Sequence, residues 1–298
     1  MTDLATIDYT TDSSLTGPEA DYSGDWSGAG GSPGATCDYQ PYCIDANAAV
    51  PDTVILATTP FSYYLMDANG GVDATGNGHT AISSIGTVTY GVASLTSKVP
   101  ANTATRYTNG GSIRFPPPVA NLTNPATPWA TCMVLQVDAY DAGVGGSGPF
   151  SFVSWSDAQP PKFGPYVATP GYLIGWCDST FSRLGTFSAS KDPLFATGEP
   201  HVLVINMEPV VGGASCANFS FWVDGVRVIT LPTDNSGVDG AVFSIGRLPG
   251  GGPFFGAINM TYSNFATWAR TLTDAEIKTI SEALVDDAIL ATSWVPTP

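Results

Sequence analysis

Apolar and polar residues alternate in short runs along most of this chain, and the clearest pair of runs lies at 218–230, NFSFWVDGVRVIT. Two strand-forming stretches, 219–223 and 226–230, are joined there by Asp224-Gly225; Asp-Gly between alternating runs predicts a tight antiparallel hairpin. Further strands are expected at 54–56, 61–66, 86–91, 104–107, 111–115, 129–137, 150–155, 171–177, 181–187, 199–207 and 241–247, with a last one ending at Trp268. All are short, and turn residues punctuate them. Pro160, Pro161, Pro165 and Pro170 crowd the stretch 157–170 and exclude a central strand from it, because proline cannot donate to a ladder. One helix is predicted near the C-terminus. Thr273 stands three residues before Glu276, a capping-box spacing. Ile277, Ile280, Leu284 and Ala288 then share one face of a helix over 274–290, a face that should pack on the sheet edge.

Residues 1–53 have no such pattern. Gly, Ser, Pro and Asp dominate, with single aromatics such as Tyr9, Trp26 and Tyr42 scattered among them, so this stretch cannot build a core of its own. It reads as an acidic, low-complexity arm, and such arms gain order where something ties them down, here by anchoring to a neighbouring subunit, with folding back on its own domain as the alternative. The expected organisation is an arm over 1–53, one β domain over 54–291 and a short tail over 292–298. Charged residues make up only 12% of the chain, about half the usual share, which suits short strands and many turns rather than long helices.

Charge narrows the partners. Asp and Glu number 26 against 10 Lys and Arg, a net charge of −16, and no Lys or Arg occurs before Lys98. Nucleic acid needs clustered bases to neutralise phosphate, so DNA and RNA are set aside, and anionic membranes are disfavoured on the same ground. No apolar run reaches the roughly 18 residues that span a bilayer, so no membrane insertion is expected. The start, MTDLATIDYTTDSS, lacks the basic and apolar regions of a secretory signal, and release as part of a larger particle is the expectation. Of five cysteines, Cys37 and Cys43 lie close together; a bridge between them would staple a loop, with free thiols as the alternative. Cys132, Cys177 and Cys216 fall in or beside apolar runs, where a thiol behaves as a small hydrophobe.

Several phrases together resemble the laminin-G-like, or concanavalin-A-like, family. FSYYLM at 61–66 is followed by Asp67, by Gly70-Gly71 and by a turn containing Asp73, Gly76, Asn77 and Gly78. GSIRF at 111–115, EPHVLVINM at 199–207 ahead of the Asp224-Gly225 hairpin, AVFSIGR at 241–247 and TWARTLTDAEI at 267–277 match further strands of that family, with Pro200 where Trp is common. The resemblance covers residues 60–285. It implies an all-β fold, a two-sheet antiparallel jelly-roll sandwich, here with an extended N-terminal arm and one C-terminal helix. It also implies a possible Ca²⁺ at the sandwich rim, a hard cation that takes oxygen ligands, with Asp67, Asp73 and Asn77 as donors. The family's acidic residue near the last strand aligns instead with Ser263-Asn264, or with Asn259. The alternative for the opening loop is an Asx-type turn stabilised by its own side chains.

The layout of arm plus jelly roll resembles virion proteins of tailed bacteriophages. A minor tail protein or fibre touching host-surface glycan or neighbouring subunits is expected, homo-oligomeric and held to other virion proteins through residues 1–53. A head decoration without glycan binding and a secreted bacterial carbohydrate-binding module are the alternatives. Catalysis is not expected. The paired carboxylates of jelly-roll glycosidases have no counterpart, since Glu199, Glu208, Glu276 and Glu282 are the four Glu beyond Lys98 and no two share a strand face. No G-x-S-x-G occurs either. His79 reads as a turn residue and His201 as a packing and hydrogen-bonding one. For glycan stacking, Trp155, Tyr166 and Tyr172 surround the Pro-rich loop, with Arg183 and Lys162 as the nearest basic partners for an acidic glycan; core or rim packing is the alternative role of those aromatics and the commoner one beside a strand.

Overall fold

Helix α1 (Pro51–Ala57) leads into strands β1 (Ser62–Tyr64), β2 (Ser83–Val92), β3 (Ala104–Phe115), β4 (Trp129–Asp141), β5 (Phe150–Ser151), β6 (Val153–Ser154), β7 (Tyr166–Ala168), β8 (Tyr172–Trp176), β9 (Arg183–Phe187), β10 (Pro200–Pro209), β11 (Ala217–Val223), β12 (Val226–Pro232), β13 (Phe243–Gly246) and β14 (Ala257–Trp268). Helix α2 (Asp274–Leu284) follows. The computed structural model describes residues 51–99, 101, 103–120, 127–141, 150–151, 153–154, 166–168, 172–176, 183–187, 198–209, 217–232, 243–246 and 257–285. The expected arm, with Cys37 and Cys43, lies outside them, as does Trp155.

Antiparallel pairing builds two sheets. The larger runs β12-β11-β10-β4-β14-β3-β13-β6, with β1 on β14 and β2 on β3; the smaller runs β5-β7-β8-β9. The Asp-Gly hairpin forms as expected. Asp224 and Gly225 take φ of 50° and 80°, the left-handed pair that a two-residue turn between twisted strands needs. Asp224 also pins the turn to β10. Its Oδ1 accepts the Val202 N–H at 2.8 Å, and its Oδ2 lies 2.7 Å from His201 Nδ1, so His201 is the hydrogen-bonding residue that its position suggests.

Strand β3 is one long element where two short runs are expected. Near its start it pairs with β14 through Thr105, Arg106 and Tyr107, and near its end with β13 through residues 112–115. It therefore passes from one part of the sheet to another around residues 108–111. Its register with β2 also shifts there, between Ile85 and Thr87.

Central strands bury both faces. On β4, Met133, Leu135 and Val137 point to an inner core with Tyr107, Phe115, Leu203, Phe221 and Phe265, whereas Cys132 and Val134 point outward. Helix α2 covers that outward set. Ile277, Ile280 and Leu284 cluster with Ala130, Cys132, Val134, Val202 and Trp222, so the helix lies on the sheet face rather than its edge. The reason is legible in retrospect, because Val202, Leu203, Val204 and Ile205 form a continuous apolar run that needs cover on both sides. The capping box of Thr273 and Glu276 is present in both directions. Helix α2 closes at Leu284 rather than 290, since Val285 takes extended φ and ψ of −96° and 140°.

Three further expectations change. Residues 54–56 are helical, not extended; Pro51 suits the first helical turn and Ile55 is buried, and so short an apolar run does not discriminate strand from buried helix. Residues 150–155 split between sheets, β5 pairing with β7 and β6 with β13. The Pro-rich stretch does contain a paired strand, because Tyr166–Ala168 fits between Pro165 and Pro170 with all three of its own N–H groups available, and β5 and β8 flank it.

Candidate functional site

The opening loop is organised by Asp73, which is only 8% exposed. Its Oδ1 accepts the N–H groups of Tyr63 at 3.1 Å and Thr75 at 3.0 Å, and its Oδ2 accepts the His79 N–H at 3.0 Å, with the Thr75 hydroxyl 2.8 Å from both oxygens. Burial alone would raise this carboxyl, but those donors hold it below the usual carboxylate value. Asp67 and Asn77 serve the same loop. Asp67 Oδ1 accepts the Asn69 N–H at 2.9 Å, and Asn77 Nδ2 donates to the Phe61 carbonyl at 3.1 Å. His79 stacks on Phe61 with ring centroids 3.7 Å apart, and its carbonyl accepts the Tyr64 hydroxyl. This is the Asx-type arrangement, and a calcium ion would have to displace Thr75 and the His79 N–H to reach Asp73. Among the described residues, no three His, Cys, Asp or Glu side chains are grouped to hold a metal ion.

A second polar constellation lies on the outer face of the large sheet. Cross-strand pairing sets Thr89 of β2 opposite Arg106 of β3, Arg106 opposite Thr261 of β14, and Thr261 opposite Gln136 of β4. Such neighbours share one face. Beside this row the register of β4 and β14 slips, with Asn259 opposite Ala139 but Met260 opposite Val137, and Asp138 is the extra residue of the bulge. Alternation along β4 puts its carboxylate on the face of Gln136. Asp138 Oδ2 accepts the Thr261 hydroxyl at 2.7 Å and lies 3.4 Å from Arg106 Nε, while Oδ1 accepts Gln136 Nε2 at 2.8 Å. Arg106 Nε also donates to Thr261 Oγ1 at 3.3 Å. The Arg106 side chain is 51% exposed and that of Asp138 is 20% exposed; Thr87 and Thr89 are exposed beside them.

The outer face thus has two halves. One is apolar and lies under α2, from Ala130 to Val134 on β4 and from Val202 to Val204 on β10. The other carries hydrogen-bonded polar side chains, of which Arg106, Gln136 and Asp138 reach solvent while Thr261 is buried beneath them. Sequence inspection overlooked this second half, although the signal was there: alternate positions along β4 switch from Cys132 and Val134 to Gln136 and Asp138.

The fold resembles known binding domains. A scan against protein-family models finds no match, and neither does a search of curated proteins. Among solved structures, the chain is similar to the binding domain of botulinum neurotoxin DC in complex with rat synaptotagmin II, at 13% identity and TM-score 0.52, covering 79% of this chain and 52% of that one. It is also similar to the binding domain of Paraclostridial Mosquitocidal Protein 1, at 11% identity and TM-score 0.53, covering 76% and 52%. A third structure is that of botulinum neurotoxin type C, whose cell entry is described as dependent on two ganglioside molecules, at 13% identity and TM-score 0.52, covering 77% and 52%. The chain is a jelly-roll β-sandwich. It spans about half the length of these three structures, and at such identities the likeness shows the fold alone.

Of the expected glycan platform, the jelly roll places Tyr166, Tyr172 and Arg183 on β7, β8 and β9 of the smaller sheet, with Tyr166 opposite Ile174 and Tyr172 opposite Ala168. Arg183 pairs with Trp176. Lys162 lies outside the described residues, like Trp155. The remaining charged clusters brace α2. Glu276 takes both ends of the Arg270 guanidinium, at 2.7 and 3.0 Å, besides the Thr273 N–H at 2.8 Å. Arg270, together with the Thr273 donors, pulls the Glu276 carboxyl down from 4.5 to about 2 against the opposing effect of burial. A carboxyl lowered by folding stabilises the fold above its unfolded value and stops doing so as pH falls through its folded one. The stability difference between wild type and Glu276→Gln should therefore be full above pH 4.5 and close as pH approaches about 2. Denaturant titrations at a series of pH values measure it; a difference that does not change with pH would show that the Arg270 pair does not stabilise the fold.

Proposed function

We propose that this chain is a non-enzymatic bacteriophage virion protein, a minor tail or fibre component, whose jelly roll recognises host-surface saccharide. The N-terminal 1–53 arm anchors it to other virion proteins, and copies of the chain associate with one another. The observation that carries the binding reading is the polar half of the outer sheet face, where the exposed Arg106 and the partly exposed Gln136 and Asp138 are held in fixed positions by each other and by the buried Thr261. Sugars are recognised by a few polar groups fixed in advance on a rigid scaffold, and side chains locked by mutual hydrogen bonds on a sheet meet that requirement. The solved structures that share the fold are binding domains, which supports the same reading. Two of the described Glu side chains serve the fold: Glu276 is clasped by Arg270, and Glu208 accepts the Ser220 hydroxyl at 2.8 Å. Neither is paired with a second carboxylate across a cleft, the arrangement that glycoside hydrolysis needs.

Antibody labelling of intact particles, viewed by electron microscopy, tests the location. Label at the tail tip or along fibres is the expected result. Label over the head would replace the tail assignment by a head decoration, and particles without label would remove the virion assignment altogether. Saccharide binding is tested separately on the purified chain.

A further inference from the structure

The polar row on the outer face offers more than a general binding surface. Arg106 is anchored through Nε, by Thr261 Oγ1 at 3.3 Å and Asp138 Oδ2 at 3.4 Å. Its Nη1 and Nη2 have no partner among the described residues, and the side chain is half exposed. Two parallel N–H donors therefore face solvent from a guanidinium whose orientation is already set, which lowers the ordering cost of a ligand. Acceptors stand beside them. Gln136 gives its Nε2 to Asp138, and its Oε1 has no partner among the described residues; Thr89, next to Arg106 in the row, is exposed with a hydroxyl that can donate or accept.

The charge balance selects among ligands. Asp138 neutralises Arg106 locally, and the whole chain carries −16. A carboxylate or sulfate at the Nη pair would satisfy those donors but would sit near the Asp138 carboxylate and leave the Gln136 carbonyl without a donor. A hydroxyl is both donor and acceptor. Two adjacent hydroxyls on a sugar ring can take the two Nη donors and return a proton to Gln136 Oε1 or to a remaining lone pair of Asp138. The geometry points to a subsite for the vicinal diol of a neutral saccharide, built from Arg106, Gln136, Asp138 and Thr89, with the buried Thr261 positioning Arg106 and Asp138 from beneath. This inference rests on the saccharide-binding reading and specifies its ligand class.

The test uses the full chain, as wild type, Arg106→Gln and Arg106→Lys, on a printed array of neutral and carboxylated saccharides before and after periodate, which cleaves vicinal diols. All three proteins should fold, since Arg106 is half exposed, and near-ultraviolet circular dichroism checks this. Wild type is expected to bind neutral saccharides, to lose them after periodate, and to bind equally between about 50 and 500 mM salt, because screening weakens only charge-driven contacts. Both variants should bind about tenfold more weakly, the loss of one to two hydrogen bonds from a charged donor, with Lys failing because it cannot present two fixed parallel donors. Three results overturn the inference while leaving saccharide binding intact: a preference for carboxylated saccharides that salt abolishes, binding that survives periodate, or Arg106→Gln binding as wild type does. Absence of binding to any saccharide on the array overturns the saccharide-binding reading itself.

Discussion

Asn206→Ala is expected to destabilise the protein by about 3 kcal/mol, because two buried backbone groups lose their partners together at roughly 1–3 kcal/mol each. Asn206 lies on β10 and is 1% exposed. Its Nδ2 donates to the Leu272 carbonyl at 2.8 Å and its Oδ1 accepts the Leu272 N–H at 3.0 Å. One side chain thus holds both polar groups of the residue just before the cap of α2, and Leu272 itself is buried in the outer core. With alanine in place, the loop from Trp268 to Thr273 keeps the Arg270 and Trp268 contacts to Thr58 but loses its polar tie to β10, which loosens the seat of α2 on Val202, Val204 and Trp222. Urea denaturation should show a lower midpoint with an unchanged slope, the sign of a changed stability rather than a changed unfolded state. A loss below about 1 kcal/mol would mean that water or other donors replace Asn206, and that the seat of α2 is set by its apolar face alone.

Gly111→Ala should cost a similar amount, about 3 kcal/mol, at the upper end for overpacking a close contact. A Cβ at Gly111 would stand 2.2 Å from the Thr87 carbonyl oxygen and 3.0 Å from its carbon. Both are backbone atoms of the neighbouring strand, so no side chain can swing away, and β2 and β3 would have to part where β3 passes from β14 to β13. The informative control is Gly76→Ala. Gly76 has φ of +80° but nothing within 4 Å of its would-be Cβ, so only the left-handed backbone penalty applies, about 1–2 kcal/mol. Thermal unfolding should therefore rank Gly111→Ala as the more damaging change. The opposite ranking would show that the two strands have slack at residues 108–111 and that the crossing of β3 is not tightly packed.

Local chemistry made parts of this molecule readable from the amino acids. The Asp224-Gly225 turn, the capping box of Thr273 and Glu276, and the alternation over 129–137 each involve groups a few residues apart, where chain connectivity supplies the proximity. The opening loop is similar, since Asp73 binds Thr75 and His79 within six residues. Short-range signals failed where two outcomes share one pattern. Residues 54–56 read equally as strand or buried helix, and three residues between Pro165 and Pro170 were enough for a strand that the prolines appeared to forbid.

What the sequence by itself determined is the repertoire: an antiparallel β fold, its hairpin, the start of its last helix and a net charge of −16. Only the tertiary structure decided which faces those elements present. Helix α2 covers the outer sheet face because the strands beneath it are apolar on both sides, a fact about packing between segments rather than about the helix. The polar half of the outer face is a still longer-range product. Thr261 reaches Asp138 across 123 residues and Arg106 across 155. Alternation along β4 already puts Asp138 on the face of Gln136, but the registers of β14 against β4 and against β3, which set Thr261 and Arg106 beside it, are encoded by no local propensity. Pairing between distant strands is fixed by the joint burial of whole faces, so the polar groups that it leaves side by side can be named only once the sheet is built.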